Sequence, residues 1–353
     1  MVRLKDIAAR AGVSVMTVSK VLRDAPDIST ATKARVRALA QQMGYVPDSL
    51  AQGLRTRTTK LFGVVISAMT NPIFARVVMA LEERAHELGY EVILSHSLNL
   101  PEREEIAIRR LISRHVDGLF VSPVYRLARE ASIYRDLQRC GIPTIILGHS
   151  APFCSQFVNV DTEDLQGSHA AAQHLLDLGH KRIAFFAGPQ VAPWAQERFD
   201  GYRRALRDAG IDLDENLVFN AGSTIEEGEN AALQLLNEGA DATAVQAVND
   251  LVAIGAANIF LNQGIKIPEE LSIVGFGNVL ISEYFRVPLT TIRQPKFRLG
   301  VAAMNSMLNL MRGERPEPKR LPAEMIARAS TAAPSTAHRA LSNPVEKSET
   351  KSL

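Results

Sequence analysis

The sequence predicts an α/β fold: a small all-helical module at the N-terminus, then a body of two parallel α/β lobes. Three observations carry this reading. Apolar residues in the first 45 positions recur at helical spacing. From Leu61, short apolar runs alternate with amphipathic helical stretches, the rhythm of parallel strands covered by helices. That rhythm restarts after Asp161, without a strict sequence repeat.

The chain has 353 residues, enough for two or three domains with their own cores. Charged residues make up 22% and hydrophobic ones 46%, ordinary for a globular protein. Its two cysteines, Cys140 and Cys154, form no CxxC motif or Cys/His cluster, so free thiols in a reducing cytoplasm are expected, with no metal site. No stretch reaches the roughly 18 consecutive apolar residues of a membrane helix, and the N-terminus has no secretory pattern. A cytoplasmic protein without membrane contact is expected.

Charge is distributed unevenly. Residues 1–60 hold 11 Lys/Arg against 4 Asp/Glu, a net +7, so the rest carries −5 of the overall +2. A basic module on an acidic body is the electrostatic footprint of a nucleic-acid binder, although a basic solvated surface would look the same.

Ile7, Ala8 and Ala11 share one face of a helix over about 4–11, which Gly12 can end because it tolerates positive φ. Ser14 is placed to cap a helix over about 15–23 that buries Val18, Val21 and Leu22. Its other face shows Val15, Met16, Thr17, Ser19 and Lys20. A third helix runs from a Ser29 cap to Gly44 and buries Val36, Leu39, Ala40 and Met43. Two short helices joined by a tight Gly-containing turn make a helix-turn-helix, whose second helix fits the DNA major groove.

"LKDIAARAGVSVMTVSKVL", "STATKARVRALAQQMGYVP" and "SLAQGLRT" resemble, in order, the DNA-binding headpiece of the lac repressor (LacI/GalR) family. The resemblance places base-reading positions on Val15, Met16 and Lys20. Lysine can donate to guanine O6/N7, whereas Val and Met offer only apolar contact. Partial core packing is the alternative for Val15 and Met16. Ser14, Thr17, Ser19 and Tyr45 fall on DNA backbone contacts, which set register without reading sequence. "PDSLAQGLR" (47–55) resembles the hinge helix, too short to be stable alone in water. Leu54 matches the leucine that wedges into the minor groove, unless it packs on its own domain. Gly53 before it lowers helix propensity by about 1 kcal/mol.

In the body, strands are read in "LFGVVIS", "YEVILSHS", "VDGLFVSP", "IPTIILG", "RIAFFAG", near 217–220, "AVQAVND" and "LSIVGFG". Helices are read over about 73–89, 102–115, 165–178, 196–209, 226–238 and 251–263. Ligands of such sheets bind beyond the strands' carboxyl ends, here in the cleft between lobes. The loops 67–74, 122–126, 147–150, 187–198, 248–250 and 275–279 should line it.

The body also resembles the same family, whose core is similar to periplasmic sugar-binding proteins. The stretches are "NPIFARVVMALEERAHELGYEVIL", "LLDLGHKRIAFFAGP", "ERFDGYRRAL", "AVNDLVAIGA", "IPEELSIVGFGN" and "LTTIRQPKFRLGVAAM". The implied domains are a headpiece over 1–46, a hinge and linker over 47–60, a core over 61–330 and a disordered tail over 331–353. The chain would cross between lobes near 161–163, 291–293 and 321–323, giving an N-lobe of about 61–161 with 293–320 and a C-lobe of about 162–291 with 322–330. The resemblance places effector contacts on Phe74, Arg198 and Asn249, with His149 and Asp161 elsewhere in the cleft. An ion pair within the core is the alternative for Arg198, and a loop histidine satisfied by its neighbours is the simpler reading of His149. Where the family has an aspartate after Gly-Phe or Gly-Tyr, this chain has Gly277. Trp194 adds a ring in the "GPQVAPWAQER" loop.

The implied function is a DNA-binding transcriptional regulator, expected to be a repressor. It would act as a homodimer on a pseudo-palindromic double-stranded operator, under a small-molecule effector such as a sugar or sugar derivative. No GxSxG, Walker-type or HExxH motif occurs, so no catalytic residue and no cofactor are expected. A cytosolic ligand-binding protein without a regulatory role, or an enzyme on the same scaffold, are the alternatives.

Overall fold

A computed structural model describes residues 2–45 and 58–335. The chain divides into two compact units between Thr59 and Lys60.

The N-terminal unit is three helices, α1 (Leu4–Ala11), α2 (Val15–Leu22) and α3 (Thr30–Gln42). Gly12 ends α1 at φ 65, and the Ser14 hydroxyl opens α2 by accepting from the Thr17 amide at 3.0 Å. Ser29 caps α3 through the Thr32 amide at 3.3 Å. Ile7, Ala8, Ala11, Val18, Val21, Val36 and Ala40 form the buried core. Leu22, Leu39 and Met43 are only half-buried against it, because so small a core cannot enclose them. The hinge stretch 47–55, with Gly53 and Leu54, lies outside the described residues, as does 336–353.

The second unit holds two six-stranded sheets. Strands β1 (Leu61–Ile66), β2 (Glu91–His96), β3 (Gly118–Val121), β4 (Thr144–Leu147), β5 (Val158–Thr162) and the late β11 (Lys319–Leu321) form the first, in the order β11-β5-β4-β3-β1-β2. Strands β6 (Ile183–Ala187), β7 (Val218–Asn220), β8 (Ala244–Ala247), β9 (Ser272–Gly277), β10 (Thr290–Arg293) and β12 (Glu324–Ile326) form the second, in the order β12-β10-β9-β8-β6-β7. Pairing is parallel except between β10 and β12. Val64 lies opposite both Leu94 and Phe120, and Phe185 opposite Gln246.

Parallel sheets must be covered on both faces, which is why their strands read as continuous apolar runs. In the first sheet, Phe62, Val64 and Phe120 pack under α4 (Pro72–Glu87) and α12 (Lys296–Met311). Val65, Leu119, Val121 and Ile146 pack under α5 (Pro101–Ser113) and α6 (Ser132–Cys140). The second sheet is covered by α7 (Asp164–Asp177), α8 (Pro193–Asp208), α9 (Ile225–Asn237) and α10 (Asp250–Asn262), with the short α11 (Leu280–Tyr284) after β9. No helix among the described residues is long and apolar enough to cross a membrane.

The chain passes between sheets after β5, after β10 and between β11 and β12. The second passage lies at Gln294–Pro295, just beyond the expected 291–293, because β10 stays in the second sheet through Arg293. Trp194 belongs to a helix, not to a loop: α8 begins at Pro193, whose fixed φ suits a first helical position. The expected disordered tail is also corrected at its start. Thr331 pairs with His174 at 3.0 Å, and the Ala332 amide donates to the Ser272 hydroxyl at 3.0 Å. The Ala332 carbonyl lies 2.8 Å from His180 Nε2, so buried polar groups fix this stretch by requiring partners.

Candidate ligand pocket and nucleic-acid interface

A cavity of about 200 Å³ opens between the lobes at the carboxyl ends of the strands. Phe74 reaches it from α4, His149 from the loop after β4, Asp161 from β5, Trp194 and Arg198 from α8, and Asn249 from the cap of α10. All six residues expected in the cleft therefore line one cavity.

Arg198 is 4% exposed. Its Nη2 donates to Asp164 Oδ1 at 3.1 Å and its Nη1 to the Val248 carbonyl at 2.8 Å. The guanidinium stacks 3.7 Å from the Phe276 ring centroid and 4.8 Å from that of Trp194. The close packing of α7 on α8 makes this possible: a Cβ at Gly201 would lie 2.3 Å from the Leu165 carbonyl oxygen. Burial pushes the Asp164 carboxyl up and the Arg198 guanidinium down, and their mutual attraction opposes both. Arg198 Nε has no hydrogen-bond partner among the described residues. The arginine is thus both a core ion pair and a wall of the cavity.

Asn249 is also committed. Its Oδ1 accepts from the Val252 amide at 2.8 Å, and its Nδ2 donates to the Ser223 carbonyl at 3.0 Å. The next residue, Asp250, is 1% exposed and accepts from Thr291 Oγ1 at 2.5 Å, Ser282 Oγ at 2.7 Å and the Val279 amide at 2.8 Å. Burial raises its carboxyl, against those three donors and the charge of Lys296. Lys296 donates to the Gly277 and Asn278 carbonyls at 2.6 and 2.8 Å, and burial pulls its ammonium down to about 8.

His149 sits among carboxylates. Its Nε2 is 3.2 Å from Glu197, 3.7 Å from Asp164 and 3.8 Å from Asp161. Arg320 of β11 joins them, 2.5 Å from Glu197 and 3.1 Å from Asp161. Burial raises Asp161 to about 6 despite His149 and Arg320. The sequence reading missed Asp164, Glu197, Asp250 and Arg320. Glu197 and Asp250 lie inside stretches it quoted and Asp164 follows the expected passage at 161–163, whereas nothing local marks Arg320, which is brought in by strand pairing.

In the headpiece, Val15 and Met16 stand at the start of α2 and are 46% and 64% exposed. Lys20 pairs with Asp27 on the same face. The Ser14 and Thr17 hydroxyls hold one another at 2.9 Å, Ser19 Oγ accepts from Arg23 at 3.3 Å, and Tyr45 rests half-buried on the core.

Residues 3–48 match the profile of bacterial regulatory proteins of the lacI family, and residues 172–331 that of a periplasmic binding protein-like domain. The chain is 32% identical over 332 residues to the transcriptional repressor CytR of Escherichia coli strain K12, covering 94% of this chain and 96% of the relative. It belongs to the LacI family. Among solved structures of this family, the lac repressor dimer bound to operator and the anti-inducer ONPF is similar with a TM-score of 0.82. That likeness has 28% identity and covers 94% of this chain and 99% of the other. A complex of the regulator CelR with cellobiose is similar with a TM-score of 0.70 at 30% identity, over 94% and 100% of the two chains. As a LacI-family protein, the chain is a DNA-binding transcriptional regulator. Its α1–α2 pair is the helix-turn-helix, and the two-sheet body is the family's effector-binding type of core.

Proposed function

We propose that this regulator is a cytoplasmic repressor that binds a pseudo-palindromic double-stranded operator as a homodimer and acts by binding, not by catalysis. The observation that carries the DNA reading is the exposure of Val15 and Met16 beside Lys20 on a small basic unit. In this reading Val15, Met16 and Lys20 contact base edges, and Ser14, Thr17, Ser19 and Tyr45 contact the backbone. Leu54 wedges into the minor groove at the centre. Protein two-fold symmetry then requires operator two-fold symmetry.

The effector is a sugar or sugar derivative held between Phe74, His149, Asp161, Trp194, Arg198 and Asn249. The unpartnered Arg198 Nε supports this, as do the sugar complex of CelR and the operator-bound lac repressor dimer. Position 277 contributes no acceptor side chain, so a hexose gripped there by an aspartate is not the ligand. The effector shifts DNA affinity only through its different affinities for two core conformations.

Selection of random duplex DNA by the purified protein, followed by sequencing, tests the reading. A pseudo-palindrome with a fixed central step is expected. Enrichment of an asymmetric site, or of none with and without cell metabolites, would overturn it.

A further inference from the structure

The ion cluster beside the pocket joins two lobes that are also connected by three chain passages, by Lys296 donating to the Gly277 and Asn278 carbonyls, and by Tyr125, which packs against the cores of both. Arg320 and His149 belong to the lobe built on the first sheet, whereas Glu197 and Asp164 start from helices of the second. Arg320 Nη2 donates to Glu197 Oε2 at 2.5 Å and to the Thr162 carbonyl at 3.1 Å, and its Nε donates to Asp161 Oδ1 at 3.1 Å. Its Nη2 also lies 3.3 Å from His149 Nε2. Glu197 is thus gripped by two groups of the opposite lobe. It directly precedes Arg198 on α8 and lies three residues after Trp194, which is less than one helical turn.

The cluster grades from wet to dry. The Arg320 and Glu197 side chains are 41% and 26% exposed, whereas those of His149, Asp161 and Asp164 are 7%, 5% and 2% exposed. Only the inner members line the cavity, so the Arg320–Glu197 pair lies between the cavity wall and solvent. A bridge so placed opposes separation of the lobes on that side. Nothing in its geometry requires a ligand.

We infer that Glu197 is a positioning residue: with Arg320 and His149 it forms a latch that holds the two lobes together over the pocket before any effector arrives. The effector then meets a largely closed cleft, and its access depends on how often the latch opens. Ligands that move α8 through Trp194 or Arg198 move the latch residue with them. This goes beyond the assignment of an effector and does not depend on which effector binds.

Trp194 is the only tryptophan in the sequence and lines the cavity, so its fluorescence reports access to the pocket. Quenching by acrylamide, a neutral probe, is to be measured on the full-length protein without DNA or effector. The Stern–Volmer constant should rise at least about twofold in Glu197→Gln and in Arg320→Met, and no further in the double variant, since partners in one interaction are non-additive. Arg203→Gln, which breaks an exposed pair with Asp200 on the same helix, should leave it unchanged. Wild-type quenching should rise on going to about 1 M NaCl, where the screening length is about 3 Å, and Glu197→Gln should not respond. The salt arm needs no variant beyond Glu197→Gln and holds if Arg320→Met folds poorly. Unchanged quenching in Glu197→Gln, an equal rise in Arg203→Gln, or the same salt response in wild type and Glu197→Gln would overturn the latch. An altered effector affinity or DNA response is not among these readouts, so failure of the latch and failure of the repressor reading are distinct results.

Discussion

Gly277 faces Asp250, a residue that lines the pocket: a Cβ at 277 would lie 3.4 Å from Asp250 Oδ2, and the backbone there holds φ 137. The acceptor missing from position 277 therefore cannot simply be restored. A side chain would enter a backbone region that suits glycine, and a carboxylate would meet another buried carboxylate. Gly277→Asp is expected to lower stability by about 1–3 kcal/mol from backbone strain, with charge repulsion adding to it. Urea unfolding measures this, and an unchanged midpoint would show that the site relaxes around the substitution.

The Arg198–Asp164 pair makes a second prediction. Both groups are buried, so removing one leaves the other without its main charged partner. Arg198→Met should destabilise the core by about 3–5 kcal/mol. Arg198→Met combined with Asp164→Leu should recover part of that loss, because the stranded carboxylate goes too. If the double variant is as unstable as the sum of the single ones, the two groups do not act as a pair.

Much of this site was legible before the structure. Strands such as "LFGVVI" and "SIVGFG" are apolar on both faces, which only a covered parallel sheet explains, and the pocket loops follow from where such strands end. The six expected pocket residues converge for that reason. Other parts had no local signal. β11 and β12 are three residues each, and Lys319–Leu321 is a strand only because β5 offers it an edge. Arg320 reaches the ion cluster beside the pocket through that pairing, across more than a hundred residues of chain. The α6 helix did carry a signal, with Ile133, Tyr134 and Leu137 on one face, and the sequence reading did not pick it up. Tail residues Thr331 and Ala332 read as disordered because a run of small residues interrupted by Pro334 carries no periodic apolar pattern. Their order comes from buried partners elsewhere in the chain.

Lys20 in the headpiece should determine base preference without supporting the fold. Its pair with Asp27 is exposed and screened by solvent, so it contributes little to the fold. The lysine can exchange that partner for a guanine edge at small cost. Lys20→Ala should relax preference at one position of each half-site by about 1–3 kcal/mol, while thermal stability stays within about 1 kcal/mol. Sequencing of DNA selected by the two proteins tests this. A uniform loss across all positions would make Lys20 a phosphate contact instead.

The cluster around His149 should give the core two opposed pH dependences. Burial alone would raise Glu197, but hydrogen bonds from His149 and Arg320 overcome it and hold the carboxyl at about 2, against 4.5 for the free side chain. A depressed carboxylate contributes stability above its unfolded pKa, and that contribution is lost as pH falls from 4.5 towards 2. Asp161 has the opposite sign. Burial raises it from 3.8 to about 6, so between those values the folded state keeps a proton that the unfolded chain has released. Its contribution is fully present below 3.8 and is lost as pH rises through 6. Chemical denaturation between pH 3 and 7 separates the two, because their windows overlap only from 3.8 to 4.5. Relative to wild type, Glu197→Gln should flatten the loss of stability below pH 4.5, and Asp161→Asn should flatten the decline between pH 4 and 6. If neither difference curve changes slope in its window, the carboxylates titrate alike in the folded and unfolded chain, and the cluster has no electrostatic role in stability.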